Sequence, residues 1–313
     1  MSLQVLVSKG LLTVQDIGRR GWERFGVPVG GAMDGFALRA ANRLTGNPPE
    51  AAGLEAALGE VQLLAGQDLL LAAAGRGWQL RVEGRPLPLW MAAVARRGEL
   101  IQLLPEDTPG WCCLAFSGGI QTPLILGSRS TCLAGGFGGL EGRALRPGDH
   151  LPVGSHAPLH ALMLKAGVSL PLAARPAYAD DLLLHLVPGP QADHFTAAAW
   201  QTLLTSSYRL TPACSRMGYR LAGPRLEHCS AADILSEGTP PGSVQVPGDG
   251  QPVILMADRQ ATGGYAKIGV VSTADLPLLA QCPPGAGSVR FAVTTPAQAA
   301  KRWREMLAGL EKQ

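Results

Sequence analysis

A mainly β fold with a few short helices, divided into two domains, is predicted by three observations. Glycine and proline are plentiful, at 40 and 25 of the 313 residues, apolar runs are short, and turn-forming residues follow the runs. Many short strands separated by turns favour sandwich or barrel architecture over a doubly wound parallel sheet, whose strands alternate with helices. The length exceeds that of a usual single domain, which makes two domains the expectation.

Apolar runs at 5–7, 69–73, 182–187 and 253–256 read as strands. Helical spacing is clearest over 33–44, where Phe36, Ala40 and Leu44 recur and Gly46-Asn47-Pro48 stops the helix. A second helix is expected over 193–204, with Asp193 as its N-cap and Phe195, Ala198, Ala199 and Leu203 as an apolar stripe. Shorter helices are expected at 273–280 and 296–310. Prolines, alanines and the adjacent acids Asp180 and Asp181 give residues 170–181 the composition of a linker. The boundary is therefore placed there, with an N-terminal β-rich domain at 1–175 and a C-terminal one at 182–313.

Composition excludes several classes of function. A hydrophobic fraction of 46% with 16% charged residues describes a folding chain rather than a disordered one. The net charge of +3, spread over 27 basic and 24 acidic residues, offers no basic block to track a phosphate backbone, which sets nucleic acid aside. The opening residues show neither a basic stretch nor a long apolar one, and no run approaches eighteen apolar residues, so a cytoplasmic protein without a membrane span is expected. The six cysteines form no Cys-x-x-Cys pair and read as reduced thiols. His156 and His160 stand four apart without a third ligand, so no metal is expected. There is no Gly-x-x-x-x-Gly-Lys loop, no dinucleotide fingerprint and no Gly-x-Ser-x-Gly elbow. Lys165 lacks the Met-Lys-Met setting of a biotinylated lysine, so no biotin is attached to this chain.

The densest polar segment is 236–267, which gathers Gln245, Asp249, Asp258, Arg259, Gln260, Thr262, Tyr265 and Lys267 around the short apolar run at 253–256. Gly248, Gly250, Gly263 and Gly264 would permit close approach of backbone to a ligand, or would simply form hairpin turns. If 253–256 is a strand buried on both faces, the polar residues emerge at its rim and Thr262-Gly263-Gly264 turns the chain, which sets Tyr265 and Lys267 on one ligand-facing side. A second cluster, 215–220, holds Arg216, Tyr219 and Arg220; an arginine fork grips carboxylates, although a solvated surface turn has the same composition. The glycine-dense stretches 118–131 and 135–143 are only superficially phosphate cradles, since no lysine stands where one must reach the phosphates.

Read in order, the motifs Thr13-Val-Gln-Asp-Ile-Gly-Arg19, Gly26-Val-Pro-Val-Gly-Gly-Ala-Met-Asp34, Gly127-Ser-Arg-Ser-Thr131, Gly135-Gly-Phe-Gly-Gly-Leu-Glu-Gly-Arg143, Arg216-Met-Gly-Tyr-Arg220, Glu237-Gly238, Gln245-Val-Pro-Gly-Asp-Gly-Gln-Pro252 and Ala257-Asp-Arg-Gln-Ala-Thr-Gly-Gly-Tyr-Ala-Lys267 resemble one family over nearly the whole chain. It is the family of 5-oxoprolinase C subunits and biotin-dependent carboxyltransferases, also called allophanate hydrolase subunit 2. The resemblance implies a β-rich fold with cyclophilin-like barrel parts, and three roles. The first is membership of an ATP-dependent 5-oxoprolinase that converts 5-oxo-L-proline to L-glutamate, with the A-like and B-like subunits of that enzyme as partners. The second is a carboxyltransferase half acting on carboxybiotin and an amide acceptor such as urea, and the third a non-catalytic antagonist of a kinase inhibitor.

Under the first role the chain is inactive alone, and ATP is bound with the partner subunits. Lys267, Asp258 and Tyr265 are then the candidate catalytic residues. Arg216, Tyr219, Arg220, Gln245, Gln260, Thr262, Gly263 and Gly264 are the candidate substrate-binding residues for a small amide. Two departures from the family pattern each lose an acid: Ala74-Gly75-Arg76-Gly77, where many relatives have Gly-Ala-Asp, and Gln121, where an aspartate is common.

Overall fold

A computed structural model of the chain describes residues 2–154 and 157–311. These fall into two compact units, one formed by residues 2–19 and 30–175, the other by 20–29 and 176–311. The excursion of 20–29 into the second unit has no signature in the sequence. Strands dominate both units, with five short α-helices among the described residues.

The first unit is built on a six-stranded and a five-stranded sheet. Burial alternates along strands of the larger sheet, such as Val61–Ala65 and Leu100–Pro105, as it must when one face meets a core and the other does not. In the smaller sheet Gly53–Ala57, Leu69–Gly75 and Cys112–Phe116 are buried at every position. Residues of both sheets, among them Leu63, Leu71, Leu80, Ile101 and Phe116, share one apolar core. The other face of the smaller sheet is covered by the helix Gly35–Leu44, which explains strands buried on both sides. That helix starts where Asp34 Oδ1 accepts the amides of Phe36 (3.1 Å) and Ala37 (2.8 Å). It stops at Gly46, whose φ of 75° carries the chain out of the helix.

Asp16 organises a loop of this unit. Its Oδ1 accepts from the hydroxyls of Ser128 (2.7 Å) and Ser130 and from the amide of Gly18 (2.8 Å), while Oδ2 takes the amide of Arg129 (2.6 Å). Arg19, buried, donates to the carbonyl of Ser130 and lies 4.9 Å from the Phe137 ring centre. The motifs at 13–19, 127–131 and 135–143 thus meet in one framework. A Cβ on Gly138, Gly139 or Gly142 would lie 2.1, 2.0 or 2.0 Å from the Ser130 carbonyl oxygen, Thr131 Oγ1 or the Gly136 backbone, so these three are packing glycines.

The second unit is a closed barrel of Asp181–Pro188, Lys267–Val271, Ser243–Gln245, Val253–Leu255, Gly218–Ala222, Tyr208–Leu210 and Ser288–Val293, the last pairing in parallel with the first. The strand expected at 253–256 is the Val253–Leu255 strand. The barrel interior takes Leu184, Leu186, Tyr208, Tyr219, Val244, Ile254, Ile268 and Phe291, all at most 2% exposed. Burying each large apolar side chain contributes roughly 1.5–3 kcal/mol. The helix expected over 193–204 is shorter, Ala197–Thr205, because Thr196 Oγ1 rather than Asp193 accepts the capping amide, from Ala199 at 3.0 Å. Asp193 instead lies in the short 3-10 turn Ala192–His194. The remaining helices are Leu276–Ala280 and Pro296–Glu311; Arg302 of the latter ion-pairs with the fully buried Asp275 at 2.9 Å. A two-stranded sheet of Asp233–Gly238 and Thr262–Tyr265 completes the unit.

Candidate active site

Lys267 opens its barrel strand and is 2% exposed. Its Cα pairs with that of Gln245, beside a bulge where one step from Val244 to Gln245 matches two from Gly269 to Lys267. An ammonium removed from water needs an opposite charge. Glu237, from the two-stranded sheet, supplies it by binding Lys267 Nζ. Gln191 joins both residues, donating Nε2 to Glu237 Oε1 at 2.7 Å and accepting the Lys267 amide on Oε1 at 3.2 Å. The hydrogen bonds from Lys267 and Gln191 hold the Glu237 carboxyl below its ordinary value. The pair has one wet end, since the Glu237 side chain is 39% exposed against 2% for Lys267.

Gln245 adds a donor without a partner. The side chain is buried, and its Nε2 makes no hydrogen bond among the described residues. A Cβ on Gly263 would lie 2.4 Å from that nitrogen, so only glycine lets the strand pass so close. An unpaired buried donor costs about 1–3 kcal/mol, which a ligand carbonyl oxygen would recover.

Arg216 and Asp258 form a second ion pair in the same unit. Nε donates to Oδ2 at 2.7 Å and Nη2 to Oδ1 at 2.9 Å, with both side chains almost wholly buried. That edge of the arginine fork therefore grips a residue of the chain itself. Arg259, next in sequence, is buried and donates Nε to the Thr239 carbonyl at 2.6 Å. Burial pushes its guanidinium down to about 10, with Glu23 acting in the opposite direction.

Apart from Gly263, which packs against Gln245, the other expected site residues lie in different settings. Tyr219 points into the barrel core, where its hydroxyl donates to the Ala280 carbonyl at 3.3 Å, because alternation along Gly218–Ala222 turns it inward and leaves Arg220 exposed. Gln260, Thr262 and Tyr265 are exposed. Thr262, Gly263, Gly264 and Tyr265 form a strand paired with Asp233–Gly238 and not a glycine-hinged loop. Neither glycine has a positive φ. Tyr265 belongs to the two-stranded sheet and Lys267 to the barrel, so the chain changes sheet at Ala266 and the two side chains differ in environment, 42% against 2% exposed. Asp249 caps its own turn by accepting the Gln251 amide at 2.9 Å. Gln191 and the pairing role of Glu237 were missed from sequence; Glu237-Gly238 is a short motif, and Gln191 stands in a turn with no local signal. Among the described residues no cluster of His, Cys, Asp or Glu could hold a metal ion; His156 lies outside them.

Residues 25–293 match the family of the carboxyltransferase domain, subdomains A and B. The chain belongs to this family. Among the members similar to this carboxyltransferase-domain chain is the 5-oxoprolinase C subunit of Escherichia coli, 37% identical over 283 residues, covering 90% of this chain and 88% of that one. The protein of the same name from Haemophilus influenzae is 34% identical over 303 residues, covering 97% and 94%. The crystal structure of the K. lactis urea amidolyase superposes with a TM-score of 0.90 at 26% identity, covering 99% of this chain but 20% of that one. That of TTHA0988 gives 0.82 at 34%, covering 93% and 55%. The chain thus spans most of the two bacterial subunits and only part of these solved chains. No helix among the described residues is long and apolar enough to cross a membrane.

Proposed function

We propose that this chain is the C subunit of a multi-subunit 5-oxoprolinase that opens 5-oxo-L-proline to L-glutamate at the expense of ATP, and that it is inactive without A-like and B-like partner subunits. The observation that carries the reading is the near end-to-end likeness to two bacterial 5-oxoprolinase C subunits. The chemistry at Lys267 is compatible with it. A lactam carbonyl is a weak electrophile, and opening it develops negative charge on oxygen, which a preorganised donor and a nearby cation stabilise. Gln245 Nε2 is such a donor, and Lys267, aligned by Glu237 and Gln191, is the cation. The sequence has no Gly-x-x-x-x-Gly-Lys loop whose lysine would reach a terminal phosphate, which supports assigning ATP to the partner subunits.

The test is coexpression with the two partners, followed by an assay of ATP-dependent glutamate release from 5-oxoproline. The assembly should release glutamate and the single chain none. Equal rates from the two preparations would overturn the subunit reading. The urea amidolyase likeness favours a second reading, transfer of carboxylate from carboxybiotin to an amide acceptor. Carboxylation of urea with a biotinylated carrier, in place of glutamate release, would select it.

A further inference from the structure

The first unit contains a cleft of about 350 Å³ formed by residues 16–18, 48–52 and 120–129. Its lining combines a cation, an anion and an apolar wall. Arg129 donates Nη2 to Gln121 Oε1 at 2.6 Å, a neutral acceptor, while its Nε is buried without any hydrogen bond among the described residues. The nearby Asp16 carboxylate is committed elsewhere, to two serine hydroxyls and two backbone amides, one of them that of Arg129 itself. The side-on edge of the Arg129 fork is therefore held in place by an amide oxygen where a carboxylate would fit with both donors satisfied. Gln121 is exposed, and its Nε2 donates to the Gly118 carbonyl at 2.7 Å, so a ligand carboxylate takes its place by swinging the amide out of these two bonds.

Glu50 also lines the cleft, is exposed, and makes no hydrogen bond or ion pair among the described residues. Ile17 and Leu124 contribute apolar surface, and Leu124 is 58% exposed. A guanidinium edge held only by a neutral amide oxygen, with its Nε unsatisfied, selects a carboxylate in place of that amide; an unpaired carboxylate selects an ammonium, and the hydrocarbon wall selects an apolar side chain. We propose that this cleft binds a small α-amino acid with an apolar side chain, its carboxylate on Arg129 in place of Gln121 and its ammonium on Glu50. The site belongs to the unit that does not carry Lys267 and Glu237, and it stands independently of the 5-oxoprolinase reading.

Calorimetry of the full chain tests this with three probes: L-leucine, 4-methylpentanoate, which lacks the ammonium, and L-leucinamide, which lacks the carboxylate. L-Leucine should bind at least about tenfold more tightly than either, the scale of one lost charge-assisted hydrogen bond. Arg129→Gln should reduce L-leucine to the level of the amide, and Glu50→Gln should reduce it to that of 4-methylpentanoate. Gln121→Ala, which frees the fork, should retain or raise affinity. Each variant is compared with the parent in melting temperature without ligand, so misfolding is separated from lost contacts. Absence of saturable heat, equal binding of all three probes, or unchanged L-leucine affinity in Arg129→Gln or Glu50→Gln would overturn the proposal. None of these measurements depends on turnover of 5-oxoproline.

Discussion

Arg216 and Asp258 are joined by two hydrogen bonds with their side chains 6% and 11% exposed, so removing one charge strands the other in a largely buried place. Breaking such a pair costs about 3–5 kcal/mol. Arg216→Ala should therefore lower the free energy of unfolding by that order in urea titration. A near-unchanged midpoint with lost turnover in the assembled enzyme would instead return Arg216 to the substrate. The paired glycines separate just as cleanly. A methyl on Gly263 collides with Gln245 Nε2, whereas on Gly264 it meets nothing closer than 3.4 Å, at the Ile234 carbonyl and the Ser236 hydroxyl. Gly263→Ala should displace Gln245 and impair both stability and turnover, while Gly264→Ala should resemble the parent in melting temperature and Michaelis constant. Equal behaviour of the two variants would refute the clearance role.

The two-stranded sheet is a weakly anchored element. Its register slips between Asp233 and Glu237, and Leu235 is 94% exposed, so pairing and burial contribute little. The bond from Glu237 to Lys267, braced by Gln191, ties it to the barrel. Because the Glu237 carboxyl is held below its ordinary value of 4.5, the folded chain keeps that charge at a pH where the unfolded chain has taken up a proton. The resulting stabilisation is complete above the unfolded value and is lost as pH falls through the lower folded one. Unfolding in urea at neutral pH and at successively lower pH should show this loss, and Glu237→Gln, which cannot titrate, should show a smaller acid-dependent change. An identical acid profile in the two proteins would mean that the bond does not anchor the sheet. This is also why Lys267 and Tyr265, two apart in sequence, fail to share a face: alternation holds within one strand and breaks where the chain leaves one sheet for another.

At the scale of the whole chain, the β-rich architecture was legible because glycine and proline punctuate short apolar runs, and the runs at 69–73, 182–187 and 253–256 fall within strands or overlap them. The helix over 33–44 was legible for the same local reason, its stripe and its stop signal lying within a dozen residues of one another. The motifs in fixed order were enough to place the chain in its family, since a resemblance of sequence needs no coordinates. Local sequence also marked the polar richness of 236–267, and so pointed to the region of Lys267 and Gln245. It could not say which polar residues meet. Gln191 reaches Glu237 across 46 positions and Arg216 reaches Asp258 across 42, distances that only closure of the barrel spans. The inward turn of Tyr219, the outward turn of Tyr265 and the clearance role of Gly263 follow from register and from the crossing of two sheets, which are set by packing among distant strands. Local pattern was enough to read the β-rich class, several of its strands and helices, and the family, but not the Thr262–Tyr265 strand, whose pairing with Asp233–Gly238 is remote. Tertiary structure alone decided which charges are paired, which donor stays open and which glycine is indispensable, because each of these depends on which remote residue stands a few ångströms away.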